Sequence, residues 1–499
     1  MASEWDVLLP ALVTALGGLA VMLAGAWHPD RRRAQTISAF ISVAATLAAG
    51  VLLLGDLTAV LHAGGRLGTA FGGSIRGDAW GVLIGIVGWV SLVMTLVASD
   101  TMCRRDGVPP AEYYGLLLLG ASGMLLLSVA QSLMVVLLGI EILSLASYVL
   151  TALPHGDGAA IEGGTKYFIL GSVGSSILLF GMALAYGAGG TLDLSGIGAA
   201  PGRGGLSHLG LGLIVIGLAF KTGIAPFHMW VPDAYTGARA VVTGFLATAV
   251  KISAFGVFAR VLVTAYPGLS MIWSAALSGL AVLTIALGCL GAVGQTRLKR
   301  MLAYSSIAHS GFMLLGLIAA GGHPVEGLAA TAFYLVVYTI QTVGVFVLLA
   351  VAGRLGEDLE TLDDCAGLSR RRPLAAAAMA LMLVSLTGIP PTAGFMAKLQ
   401  VLRAAFLDGH PWLMVIGLLG ALISVYYYLR PIVVMYMLDP QEPSSHDRTR
   451  DGSAAPSASA GWGVGVVIGL ASFAIVAVGL FPGDLLDWVS WAAGSLAGR

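Results

Sequence analysis

Four ionisable residues stand deep inside long apolar runs: Glu141 in VVLLGIEILSLASYVL, Lys221 in GLAFKTGIAPFHMW, and Lys251 and Lys398 further on. A charge placed there is a functional candidate by default, because desolvating it is costly. The choice of base is informative. The chain uses 21 arginines and five lysines, and Lys166, Lys221, Lys251 and Lys398 all fall within apolar runs, leaving Lys299 alone in a loop. Loop cations are almost all arginine. Arginine keeps its proton in proteins, whereas a desolvated lysine can release it. Lysine selected for the apolar runs therefore points to proton carriage. Glu141 is the one acid set against them, about ten residues into its run and close to mid-bilayer at about 1.5 Å per residue.

His228 and His309 are candidate relay groups for the same chemistry. His228 lies seven residues past Lys221, and Ser305 lies one helical turn from His309 in LAYSSIAHSG. The plainer reading for each is a core histidine hydrogen-bonded across helices. Two readings also stand for Lys166, near the start of GGTKYFILGS: a relay group, or a cation snorkelling to the interface. A structural ion pair is the alternative for the deeper charges. The small residues of LGSVGSSILLFGMALAYGAGG read as close helix contact, with no chemistry implied.

Such residues need elements to position them, and composition names the elements. The chain of 499 residues is 57% hydrophobic and 10% charged, with a mean hydropathy of +0.90. That is far outside the soluble globular range. Apolar runs long enough to cross about 30 Å of hydrocarbon recur throughout. The expected fold is an all-α membrane protein of about fourteen transmembrane helices. Expected spans include 34–54, 78–99, 112–130, 131–152, 208–233, 240–263, 301–319 and 373–407, the last too long for one straight helix. The start, MASEWDVLLPALVTALGG, has no basic leader and reads as running into the first span.

Lys and Arg concentrate on alternate loops, at Arg31 to Arg33, Arg104, Arg105, Arg239, Arg297, Lys299, Arg300, Arg354, Arg370 to Arg372, Arg448 and Arg450. The opposite set offers only Arg66, Arg76 and Arg203, with Arg260, Arg403 and Arg499 near helix ends or the terminus. By the positive-inside rule both termini should be periplasmic in a bacterial inner membrane. Cys289 falls in a span and Cys103 and Cys365 in loops, which suggests neither a disulfide nor a metal cluster. No P-loop or GxGxxG motif is present, so no nucleotide or redox cofactor site is expected. The polar loops 353–372 and 439–461 are too small for a catalytic domain. Formal net charge is zero, and nothing argues for nucleic-acid binding.

TGIAPF at 222–227 is echoed by TGIPPT at 387–392, in spans seven and twelve, each near a buried lysine. A shift of five spans is odd, so equivalent segments should cross in opposite directions. That is the inverted-topology repeat of transporters, with interrupted helices near the midplane. Proline at both places frees backbone carbonyls that need water or side-chain partners.

In order along 112–438, GIEILSLASYVLTAL, KYFILGSVGSSILLFGMALAYGAGGTL, AFKTGIAPFHMWVPDAYTGA, RLKRMLAYSSIAHSGFMLLG, LTGIPPTAGFMAKL and YYYLRPIVVMY resemble the antiporter-like N subunits of proton-pumping NADH:quinone oxidoreductase, respiratory complex I. Weaker similarity continues to GLFPGDLLDWV. Lys398 favours N over the related M subunits, which usually carry glutamate there, and the lack of a long lateral helix after span fourteen argues against L. One departure is TGARAVVT (236–243), where a proline-containing segment is expected.

The resemblance implies a first half-channel centred on Glu141 and Lys221, a central connection through Lys251 and His309, and an exit region at Lys398. Protons would be driven by electron transfer elsewhere. NADH, FMN, iron–sulfur clusters and quinone would belong to partner subunits, with no cofactor or metal in this chain. Partners would be the other membrane subunits of complex I, related antiporter-like ones included, and the lipid bilayer. The expected organisation is residues 1–111 (three helices), 112–263 and 264–438 (the two repeats), 439–461 (linker) and 462–499 (last helix and tail). Two other readings stand beside this one: a subunit of a multisubunit Na+/H+ antiporter, and a structural membrane scaffold.

Overall fold

The computed structural model of the protein describes residues 5–28, 30–153, 156–199, 204–353, 358–439 and 462–498. Most of the linker 439–461, and Arg203, Arg354, Arg448, Arg450 and Arg499, lie outside them. Apolar runs become helices here because backbone crossing hydrocarbon must satisfy its own N–H and C=O groups. The first part of the chain forms α1 (Leu9–Trp27), α2 (Arg31–His62), a hairpin of β1 (Arg66–Ala70) and β2 (Ile75–Asp78), then α3 (Ala79–Asp106) and α4 (Pro110–Ser128). The middle forms α5 (Leu133–Ala152), α6 (Gly158–Gly189), α7 (Leu194–Ala199), α8 (Gly205–Thr222), α9 (Trp230–Gly237) and α10 (Ala240–Arg260). Then come α11 (Ser270–Val293), α12 (Leu298–Ala319), α13 (Pro324–Ala352), α14 (Leu368–Arg371), α15 (Pro373–Thr387), α16 (Ala393–Leu407) and α17 (Pro411–Met437). Finally, α18 (Trp462–Leu480) and α19 (Gly483–Ala497) close the chain.

Thirteen of these stretches are long and apolar enough to cross a membrane, and α15 with α16 forms the expected long run, broken in two. The adjoining fourth and fifth runs are separated at Val129–Ser132, where Ser132 Oγ caps α5 by accepting the Met134 N–H at 3.3 Å. Helices run further into charged sequence than the apolar runs do. The second span continues to His62 and the third to Asp106, so Cys103 is a buried residue of α3 and not a loop residue. Lys299 is likewise not in a loop. It lies buried in the first turn of α12, donating to the Ala238 carbonyl at 2.9 Å. A charge ends an apolar run in the sequence, but a partner across the fold lets the helix continue. Cys365, outside the spans, is a buried thiol, and burial pushes it up to about 12. The hairpin and α19 were not expected.

Every residue of α10 is buried, and α12 and α13 are nearly as enclosed. These three pack on one another at the centre. By contrast α2, α6, α17 and α18 turn leucine, valine and phenylalanine outward, as lipid-facing helices do. The start of α10 falls in the atypical TGARAVVT stretch. Without a proline there, its first N–H is taken instead by Asp358, whose carboxylate accepts from Ala240 at 3.0 Å.

The two TGI(A/P)P sequences break their helices alike. α8 ends at Thr222 and α15 at Thr387, and in each case the following glycine is left-handed, φ +69° at Gly223 and +84° at Gly388. Only glycine takes that conformation without cost. The Ala225–Pro226 and Pro390–Pro391 bonds are both cis. Side chains take up backbone groups at both breaks: Ser310 donates to the Thr222 carbonyl at 2.7 Å and Thr284 accepts the Ala225 N–H at 3.1 Å, while Ser385 accepts the Gly394 N–H at 3.1 Å.

Candidate functional site

Glu141, Ser144 and Tyr148 are spaced three and four residues apart on α5 and therefore share one face. Lys221, on the last turn of α8, reaches that face. Its Nζ donates to Ser144 Oγ at 3.0 Å and to Tyr148 Oη at 3.2 Å, and lies 4.0 Å from Glu141 Oε1. The lysine side chain is only 3% exposed, whereas the Glu141 side chain is 35% exposed and accepts a short hydrogen bond from Ser175 of α6. The small-residue stretch of α6 thus does more than permit packing. A Cβ at Gly174 would lie 2.7 Å from the Phe220 ring, so this glycine brings α6 against α8, and Ser175 beside it binds the carboxylate.

One turn of α12 forms a hub. Lys251, buried on α10, donates a short hydrogen bond to the Ser306 carbonyl. Ser310 Oγ lies 3.3 Å from that same carbonyl and 2.7 Å from the carbonyl of Thr222, the residue after Lys221. Ser306 Oγ meets Tyr338 Oη at 2.8 Å and Tyr235 Oη at 3.2 Å. On the neighbouring face His309 is buried between Tyr334 Oη (Nδ1, 2.7 Å) and Tyr428 Oη (Nε2, 2.9 Å), and Tyr428 shares a short bond with Ser305. A small cavity of about 10 Å3, lined in part by Ser305, Tyr338 and Thr342, adjoins this set. It has room for about one water.

Lys398 occupies the second half of the second broken helix. Its Nζ turns back to the break, donating to the Thr387 carbonyl at 2.7 Å and to Ser424 Oγ at 3.4 Å, with the Phe312 ring centre 5.0 Å away. Phe312 in turn stacks on Tyr334, the partner of His309.

The structure therefore brings Glu141 to Lys221 and links Lys221, Lys251, His309 and Lys398 through α12 and its neighbours. Lys166 and His228 stand apart from that set. Lys166 is a half-exposed cation paired with Glu162 at 2.6 Å and Asp233 at 3.1 Å. His228 lies half-buried in the first break, its Nδ1 without a hydrogen-bond partner among the described residues. Sequence reasoning did not single out Ser144, Tyr148, Ser175, Ser306, Ser310, Tyr334, Tyr338 or Tyr428. Hydroxyls are too common in apolar runs to stand out without a partner, and only Ser305 beside His309 gave a local signal. It also passed over the pairing of Arg260 with Asp78, both fully buried at 2.6 and 2.7 Å. Among the described residues no group of three His, Cys, Asp or Glu side chains could hold a metal ion.

The fold and site define the class as a multi-span, all-α membrane protein with buried lysines at two broken helices, joined by hydroxyls and an imidazole. Residues 130–424 match a family model described as NADH:quinone oxidoreductase/Mrp antiporter, TM. Over 513 residues the sequence is 38% identical to NADH-quinone oxidoreductase subunit N of Desulfovibrio desulfuricans, covering 98% of this chain and 97% of that one. It matches a chain of respiratory complex I from Thermus thermophilus, solved with bound aureothin, at 32% identity and a TM-score of 0.78, over 96% of this chain and 98% of that one. A chain of the Mrp complex from Dietzia sp. shares the fold, at 23% identity and a TM-score of 0.83 over 100% and 98% of the two chains. The chain belongs to this family, on its subunit N branch, as a membrane subunit of an NADH:quinone oxidoreductase.

Proposed function

We propose that this subunit moves protons across the bilayer, using Glu141 and Lys221 for the first transfer, Lys251 and His309 for the central one and Lys398 for release, driven by electron transfer in partner subunits. The observation that carries this reading is the bonding of the buried lysines. Among the described residues none makes a direct hydrogen bond to a carboxylate. Lys221 donates to hydroxyls, Lys251 and Lys398 to carbonyls, and the nearest acid stands 4.0 Å off. A cation fastened for stability alone is expected to carry close carboxylate partners. A cation held by neutral oxygens beside a half-exposed acid can lose its proton when that acid's charge is drawn away. The likeness of the two breaks supports reading 112–263 and 264–438 as inverted repeats, and the arginine-rich loops support placing both termini on the periplasmic side. His228 and Lys166 are assigned no transfer step.

The test separates proton carriage from charge pairing. Lys221→Arg keeps the charge and presents a planar fork that can pair bidentately with Glu141, but arginine does not release its proton. With Lys221→Arg and Lys221→Ala assembled to similar levels in the complex, NADH-driven proton uptake by inverted vesicles should fall about tenfold or more in both. Normal proton uptake by the arginine variant would reduce Lys221 to half of an ion pair.

A further inference from the structure

The half-helix α9 follows the first break and has only eight residues, too few to hold its place unaided. Its one acid, Asp233, is shared by cations from two helices. Lys166 of α6 meets Oδ2 at 3.1 Å and Arg300 of α12 meets Oδ1 at 3.1 Å, with Glu162 on the far side of Lys166. Counting from the two threonines that end α8 and α15, Asp233 stands in the first repeat where Lys398 stands in the second. The two positions do different things: Lys398 turns back to its own break, whereas Asp233 ties its half-helix outward.

Next to this clamp runs a series of aromatic ring contacts. Tyr167, the neighbour of Lys166, lies flat on Trp230 of α9, with ring centres 4.2 Å apart and planes 4° from parallel. Tyr167 and Tyr148 meet edge-to-face, with ring centres 4.6 Å apart and planes at 82°, and Tyr148 Oη is a hydrogen-bond partner of Lys221. Trp230 also crosses the break directly, its Nε1 donating at 2.9 Å to the carbonyl of Phe220, the residue before Lys221. These contacts connect the position of α9 to two neighbours of Lys221, Tyr148 and Phe220.

We propose that Asp233 is a positioning residue for Lys221: by binding Lys166 and Arg300 at once it holds α9 against α6 and so fixes the Trp230–Tyr167–Tyr148 ring contacts on which the lysine rests. The inference builds on the proton-carrying role given to Lys221 above. It also ties the first repeat to the second, because Arg300 opens α12, the helix that carries Ser306 and His309.

The experiment uses the whole complex in inverted membranes, with assembly quantified and protons taken up per NADH oxidised as the readout. Asp233→Asn keeps the shape and removes the charge; it should lower the proton yield about threefold to tenfold, and Asp233→Glu should recover most of it. Combined with Tyr148→Phe, the loss from Asp233→Asn should be smaller than in the parent, since part of it passes through the Tyr148 contact and the rest through Trp230 and the Phe220 carbonyl. Should Asp233→Asn fail to assemble, Arg300→Gln, which leaves the Lys166 bond in place, must show the same non-additivity. A normal proton yield in Asp233→Asn, or losses that simply multiply with Tyr148→Phe, would overturn the proposal. Lys221→Ala in the same membranes keeps the two readings apart. If it pumps normally, the role of Lys221 fails, whereas its loss of pumping beside a normal Asp233→Asn sinks the clamp alone.

Discussion

Two ion pairs in this protein are built on opposite plans. Asp78 and Arg260 are 0% and 1% exposed and meet through two parallel bonds of 2.6 and 2.7 Å. Their remaining capacity is also used, since Asp78 caps α3 through the Gly81 N–H at 2.8 Å and Arg260 donates to the Ser128 carbonyl at 3.1 Å. Glu141 and Lys221 stand 4.0 Å apart, one partly exposed and the other enclosed, and each is bonded to hydroxyls instead of to its partner. The first pair ties the start of α3 to the ends of α4 and α10. The second leaves its charges free to separate. Arginine in the closed pair and lysine in the open one fit the same division, because only lysine gives up its proton under protein conditions.

The largest effect should come from breaking the closed pair. Arg260→Met leaves Asp78 buried without its partner, a cost of about 3–5 kcal/mol. That is a large part of the stability of a folded unit. The complex should contain little of this subunit, as read on native gels of solubilised membranes. Adding Asp78→Asn should restore part of it, because the stranded charge is then gone. Normal assembly of Arg260→Met would show that the closed pair is dispensable and remove the structural side of the contrast.

Glu141→Gln should act the other way round. The near-isosteric amide keeps the contact with Ser175, and the buried Lys221, still held by Ser144 and Tyr148, can give up its proton instead of standing as a stranded charge, so assembly should be normal. Proton uptake per NADH oxidised should fall about threefold to tenfold, since the acid that favours the protonated lysine is gone. Poor assembly with a normal proton yield in what remains would place Glu141 beside Asp78 as a structural acid.

This contrast was half legible in the sequence. Hydropathy marks the spans, and a lysine or glutamate deep in an apolar run is conspicuous, so Glu141, Lys221, Lys251 and Lys398 could be picked out by type and depth alone. The two threonine-glycine-isoleucine signatures located both broken helices. Asp78 and Arg260 stayed hidden because each lies at the end of a run, where a charge reads as an interfacial residue, and 182 positions separate them. Lys299 was misplaced for the same reason. Its partner is a backbone carbonyl, which no side-chain pattern reveals. The hairpin β1–β2 is too short for alternation to show, and α19 pairs an apolar face with a polar one, which a search for continuous apolar runs passes over.

The smallest of these effects sharpens the comparison most. Tyr148→Phe deletes one hydroxyl from the open site and nothing else: the ring can keep its edge-on contact with Tyr167, and Lys221 keeps Ser144 at 3.0 Å and Glu141 at 4.0 Å. Gly171 of α6 would gain a little space, because a Cβ there would collide with the Tyr148 hydroxyl. If Lys221 is held by several interchangeable oxygens, losing one should lower the proton yield only about twofold, with assembly unchanged. Ser144→Ala should match it, and the two together should approach the loss seen in Glu141→Gln. A single-hydroxyl variant that loses as much as Glu141→Gln would mean that the lysine depends on fixed partners as Arg260 does, and the distinction between an open and a closed pair would fail.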